Sequence, residues 1–141
     1  MQKSTQELLH RLKEAKEADD IQKYLDDNTQ EFIQETPESY LSGLMSMKRL
    51  KPADVARLSG QGDYVYKVFK GERKASRDIL IAISIGMGLA IFEAQLLLRI
   101  AKAAQLDPRN RKDSVLIYAL NNALTIEKTN EILYDSEEMT L

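Results

Sequence analysis

Residues Ile79 to Phe92 form a run of fourteen positions without a charge, bounded by Arg77 and Asp78 on one side and Glu93 on the other. A helix that spans a membrane needs about 20 consecutive apolar residues. This run is shorter and is interrupted by Gly86 and Gly88. It is therefore read as a helix buried in a globular core and followed by a turn at the glycines. Composition supports a helical fold: only six glycines and three prolines occur in 141 residues, aromatic residues make up 6%, and Glu, Lys, Leu, Ala, Gln and Ile are abundant. Such a balance favours helices over sheets. The expected class is all-α, and a chain of this length has room for one main core with an appendage.

Punctuation along the chain divides the remainder into helices. Leu8, Leu9, Leu12 and Ala15, and then Tyr24, Leu25, Phe32 and Ile33, recur at helical spacing. The acidic doublets Asp19-Asp20 and Asp26-Asp27 lack the glycine and terminal glutamate of a calcium loop, so they are read as solvated helix ends. Thr36-Pro37-Glu38 predicts an N-cap, a first-turn proline and an acidic first turn. The helix it opens runs to about Leu50, with Tyr40, Leu41, Leu44, Met45, Met47 and Leu50 as its apolar residues. Lys51-Pro52 starts a short helix to Ser59, with Val55, Ala56 and Leu58 inward and Gly60-Gln61-Gly62 ending it. A two-turn helix follows over about Asp63 to Lys70, with Val65, Val68 and Phe69 on its inner side and Gly71 as its stop. Ser76 caps the uncharged helix, in which Ile79, Leu80, Ile83 and Met87 point inward. A further helix is expected from about Ile91 to Gln105. After the basic knot Arg109, Arg111 and Lys112 comes an apolar face of Val115, Leu116, Tyr118, Ala119 and Leu120. The last helix is expected to start near Thr125, with Ile126, Thr129, Ile132 and Leu133 available for packing, and residues 135–141 are expected to fray. The predicted organisation is an acidic helical segment over 1–35, a domain over 36–105, and a helical hairpin over 106–141 packed on it.

Charge is distributed unevenly over these segments. Residues 48–77 hold nine Lys and Arg against three Asp and Glu, whereas 1–47 hold five against ten and 78–141 hold six against nine. The central segment therefore carries +6 in a chain whose formal net charge is −2. A clustered basic face attracts a polyanion by displacing its counterions. If Val65, Val68 and Phe69 face the core, helical spacing leaves Asp63, Tyr66, Lys67 and Lys70 on the outer face.

Two short helices joined by a glycine-containing turn match the helix-turn-helix arrangement. The stretch Leu50-Lys51-Pro52-Ala53-Asp54-Val55-Ala56, then Ser59-Gly60, Gly71-Glu72-Arg73-Lys74-Ala75-Ser76 and Leu80 to Leu89, resembles the lambda-repressor-like, Cro/XRE-type helix-turn-helix family. The resemblance covers about 40 residues closely and about 65 from Pro37 to Ala101. It implies a five-helix core whose third helix enters the major groove, with Arg73 and Ser76 at the DNA backbone. Pro108 to Leu133 is similar to a helical extension found on some bacterial members. Three features depart from the family pattern. Pro52 and Ala53 stand where a glutamine is usual, the interval from Gly60 to Gly71 is short, and Asp63 puts a carboxylate where phosphates approach.

The expected function is a transcriptional regulator of bacterial or phage type that reads double-stranded DNA, with a homodimer as its possible form. Asp63, Tyr64, Tyr66 and Lys67 are the candidates for base edges, and Lys70, Arg73, Lys74, Ser76 and Arg77 for phosphates. The alternative is the same fold used as a protein-interaction adaptor or antitoxin-like subunit with weak or no DNA binding. No enzyme is expected, since His10 is the only histidine, there is no cysteine, and Gly86-Met87-Gly88 lacks the third glycine of a dinucleotide fingerprint. No cofactor, metal or membrane partner is expected, and the cytoplasm is the expected compartment.

Overall fold

The computed structural model describes residues 3–28 and 35–141, and every regular element among them is helical. The chain divides into two compact units, Met1–Gln34 and Glu35–Leu141.

In the first unit, α1 (Thr5–Glu14) and α2 (Ala18–Asp27) follow one another across a short link. Ser4 caps α1 by accepting from the Glu7 amide at 3.1 Å. The Asp20 carboxylate accepts from the amides of Lys16 and Glu17, at 3.0 and 3.1 Å. These bonds to the charged form hold its pKa below the usual carboxylate value. Arg11 pairs with Asp27 at 3.4 Å, and Lys3 donates to Asn28. The acidic doublets occupy the first and last turns of α2, as expected. The apolar residues of α1 bury little, with Leu9 61% exposed, whereas Tyr24 of α2 is buried. Phe32 and Ile33 lie outside the described residues.

The second unit contains α3 (Pro37–Lys48), α4 (Pro52–Ser59), α5 (Tyr64–Phe69), α6 (Arg77–Met87), α7 (Ile91–Ile100), α8 (Arg111–Asn121) and α9 (Ile126–Asp135). The uncharged run forms α6 and the start of α7. In α6, Leu80, Ile81, Ala82, Ile83, Ser84, Ile85 and Met87 are all buried, because α4, α7, α8 and α9 pack around it. Each fully buried Leu or Ile contributes about 1.5–3 kcal/mol of transfer free energy, which makes α6 the organising element of this unit. Its one buried hydroxyl, on Ser84, donates to the Leu80 carbonyl at 2.8 Å. Gly86 allows α4 its close approach: a Cβ there would sit 2.7 Å from the Ser59 nitrogen. Gly88 adopts the left-handed conformation that ends the helix.

Caps fix most other boundaries where the sequence puts them. Thr36 and Ser39 exchange hydrogen bonds at the start of α3, and the Asp54 carboxylate accepts from the Lys51 amide at 2.9 Å at the start of α4. Ser76, Asn110 and Thr125 cap α6, α8 and α9.

Several expectations fail. The helix expected to reach Gln105 stops at Ile100, because Lys102 turns left-handed (φ 58°) and the Ala103 amide bonds back to the Leu98 carbonyl at 2.9 Å. The Gln95 side chain then holds Leu106 through both its amide and its carbonyl, at 2.7 and 2.9 Å. The C-terminal tail is tied rather than frayed: Asn130 brackets Leu141, and the Glu138 amide donates to the Leu133 carbonyl at 2.8 Å. Met47 and Tyr118, expected on inner faces, are 78% and 54% exposed. The packing of 106–141 on 36–105 is not among these failures: Leu116, Ala119, Leu120, Ile126 and Leu133 cluster with Leu41, Val55 and Val65 in one core.

Candidate nucleic-acid interface

The turn between α4 and α5 is set by two glycines with positive φ. Gly60 (72°) closes α4, and Gly62 (58°) donates its amide to the Ala56 carbonyl at 3.2 Å. Side chains adopt these angles at a cost that glycine does not bear, so glycine at both places favours this tight turn. Asp63 follows in right-handed helical conformation and is exposed.

Helix α5 has only six residues and cannot be stable by itself. Burial of Val65 and Val68 anchors it to the core, with Tyr64 and Phe69 packing partly against the same cluster. That anchoring turns Tyr66 and Lys67 outward. Of the four base-edge candidates, Asp63, Tyr66 and Lys67 are therefore exposed together, whereas Tyr64 is half-buried.

The following turn is held by the Lys67 carbonyl, which accepts from the amides of Glu72 and Arg73 at 2.9 and 3.3 Å. Lys70, Arg73 and Lys74 project from it and are exposed. Ser76 ends the turn, and its hydroxyl oxygen accepts from the Ile79 amide at 3.3 Å.

Arg77 does not join this group. Its guanidinium makes a two-pronged contact with the buried Asp113, at 3.2 and 2.9 Å, and donates to the carbonyls of Ala104 and Gln105 at 2.7 and 3.2 Å. The Asp107 amide completes the shell of Asp113 at 3.0 Å. Arg77 thus fastens α6 to the α7–α8 connection, and its predicted place among the phosphate contacts is corrected on that ground.

The basic segment sorts by its electrostatic partners. Lys48 pairs with Glu93, Arg57 with Asp54 and Arg77 with Asp113. Among the described residues, Arg49, Lys51, Lys67, Lys70, Arg73 and Lys74 have no acidic oxygen within 4 Å, and Asp63 has no cationic partner; the last four of these cations lie together on α5 and its exit turn. Four exposed, unneutralised cations on one short helix and its exit turn form a surface suited to phosphate.

A cleft beside this surface was not visible in the sequence. It is bounded by the start of α3, the α5–α6 turn and the end of α7. Its residues come from three separate stretches, so no local pattern could have marked it. Comparison of the chain with protein-family models, with curated proteins and with solved structures gave no match.

Proposed function

We propose that the chain is a sequence-specific, double-stranded-DNA-binding transcriptional regulator of bacterial or phage type. In this reading α3 to α7 are the five-helix, lambda-repressor-like core, and α4, the Gly60–Asp63 turn and α5 are its helix-turn-helix. The observation that carries it is the clustering of Lys67, Lys70, Arg73 and Lys74, exposed and without an ion pair among the described residues, on one helix and its exit turn; Lys48, Arg57 and Arg77 of the same segment are paired within the fold, and Arg49 and Lys51 lie apart at the α3–α4 connection. A four-residue turn with two glycines suits such a motif. Helix α5 enters the major groove, where Asp63, Tyr66 and Lys67 meet base edges and the half-buried Tyr64 braces them. Lys70, Arg73, Lys74 and the Ser76 hydroxyl meet phosphates. Selection from random duplexes at several salt concentrations tests this. Enrichment of a defined sequence, with affinity falling steeply as salt rises, is expected; no enrichment together with no salt dependence rejects it.

Asp63 favours a second reading, as a protein-interaction adaptor or antitoxin-like subunit, because an exposed carboxylate at the start of α5 repels phosphate. Replacing Lys67 and Lys70 by alanine separates the two. The regulator loses retention on heparin, whereas the adaptor keeps both its retention and its partner.

A further inference from the structure

We propose that the cleft between the start of α3, the α5–α6 turn and the end of α7 binds a small carboxylate with an apolar body, and that this ligand competes with phosphate for Lys74. The competition rests on the DNA-binding reading above; the binding site does not.

The cleft has a volume of about 420 Å³, within the range of small-molecule sites. Its accessible wall is largely apolar, with the half-buried Pro37, Ala75 and Ala101 set over Val68, Leu80 and Ile100, which the fold already covers. Lys74 and Lys102 stand at its rim, exposed and, among the described residues, without an acidic oxygen within 4 Å. Glu38 is the one acidic residue among the described lining, so the two ammonium groups outnumber it.

These features select a ligand class. An apolar wall rewards a hydrocarbon or aromatic body. Two unpaired lysines at the rim favour one negative end and disfavour a cation. A multiply charged nucleotide fits poorly, because part of its charge would have to lie against Pro37, Ala75 and Ala101 without a partner. A monocarboxylate with an apolar body satisfies both halves of the site.

The position of the cleft gives the ligand a consequence. Val68 belongs to α5, and Lys74 belongs to the turn proposed to meet phosphate. A carboxylate held by Lys74 removes one cation from the DNA surface, so ligand and DNA weaken each other's binding reciprocally.

Octanoate is the probe, with 1-octanol as its uncharged counterpart, titrated into the full chain and followed by amide NMR. Saturable octanoate binding with a millimolar or tighter Kd is expected, with shifts centred on Val68, Lys74, Leu80 and Ile100. Both 1-octanol and octanoate with the Lys102→Glu variant should bind at least tenfold more weakly. Lys102→Glu lowers the DNA affinity of the free chain through its charge alone, and that lowered affinity should no longer respond to octanoate, whereas the wild type's does. The site is overturned by the absence of saturable binding, by shifts centred elsewhere, such as on the exposed Phe92, or by unchanged affinity in the variant. Octanoate binding in the cleft with undiminished DNA affinity overturns the competition. Failure of the wild-type chain to bind any DNA rejects the regulator reading and leaves the octanoate result to decide the site alone.

Discussion

Single residues hold this fold in ways that differ in how far the sequence announces them. Gly86 could be recognised as part of a helix end, but its contact with the α4 backbone could not, because that depends on how two helices cross. A methyl group there would meet the Ser59 nitrogen and Cα at 2.7 and 2.8 Å and the Leu58 carbonyl carbon at 2.9 Å. Backbone cannot swing aside as a flexible side chain would, so Gly86→Ala should cost about 2 kcal/mol or more in urea unfolding. The role of Arg77 is hidden from the sequence for a related reason. Its charge and position resemble those of its basic neighbours, and the partner that removes it from them lies 36 residues away. Asp113→Ala would leave a half-buried guanidinium without its counter-ion and should destabilise by about 3 kcal/mol, whereas truncating the exposed Lys70 should change stability by less than about 0.5 kcal/mol. Tyr40 yields a pH prediction. Burial pushes its phenol above its ordinary value of 10.0, and the carboxylates of Glu93 and Glu35 add to this. The folded state thus favours the protonated ring, so this contribution is complete below pH 10 and is lost as pH rises through the folded value. Tyr40→Phe should show a shallower fall in urea midpoint above pH 10 than the wild type.

At the scale of elements, helix starts were more legible than helix stops. Thr36, Ser76 and Thr125 each cap the helix expected of them, because a hydroxyl acting on an amide three residues ahead is a local event. Thr125→Ala should therefore lower stability by about 1 kcal/mol, measurable as a reduced urea midpoint without a change in m. The end of α7 was not legible. Nothing in Ala101-Lys102-Ala103 forbids further helix; the stop is the left-handed Lys102 with the Ala103 amide bonded back to Leu98, and Gln95 gripping Leu106 holds the chain that leaves it. The order of the tail is equally non-local, since Asn130 ties down Leu141 through two bonds formed only after the chain returns on itself. Helix α5 illustrates both cases. Its inward valines followed from periodicity, while the half-burial of Tyr64 depended on the packing of its neighbours.

For the whole molecule, the basic segment is better understood as two populations. Three of its nine cations are held in ion pairs; among the described residues the other six have none, Arg49 and Lys51 at the α3–α4 connection and four on α5 and its exit turn, within an otherwise acidic chain. The all-α class and the central buried helix were readable because they follow from composition and from one long uncharged run. The cleft and the Arg77–Asp113 fastening were not, because they exist only once distant segments meet. The most direct test of the DNA-binding claim is the salt dependence of affinity for a selected duplex, compared between wild type and a Lys70→Ala/Arg73→Ala/Lys74→Ala variant. Each phosphate contact adds a slope of about −0.9 to log K against log salt. If these three residues meet phosphates, the variant's slope should be less steep by about 2.7. An unchanged slope, or a wild-type affinity indifferent to salt, would contradict the claim.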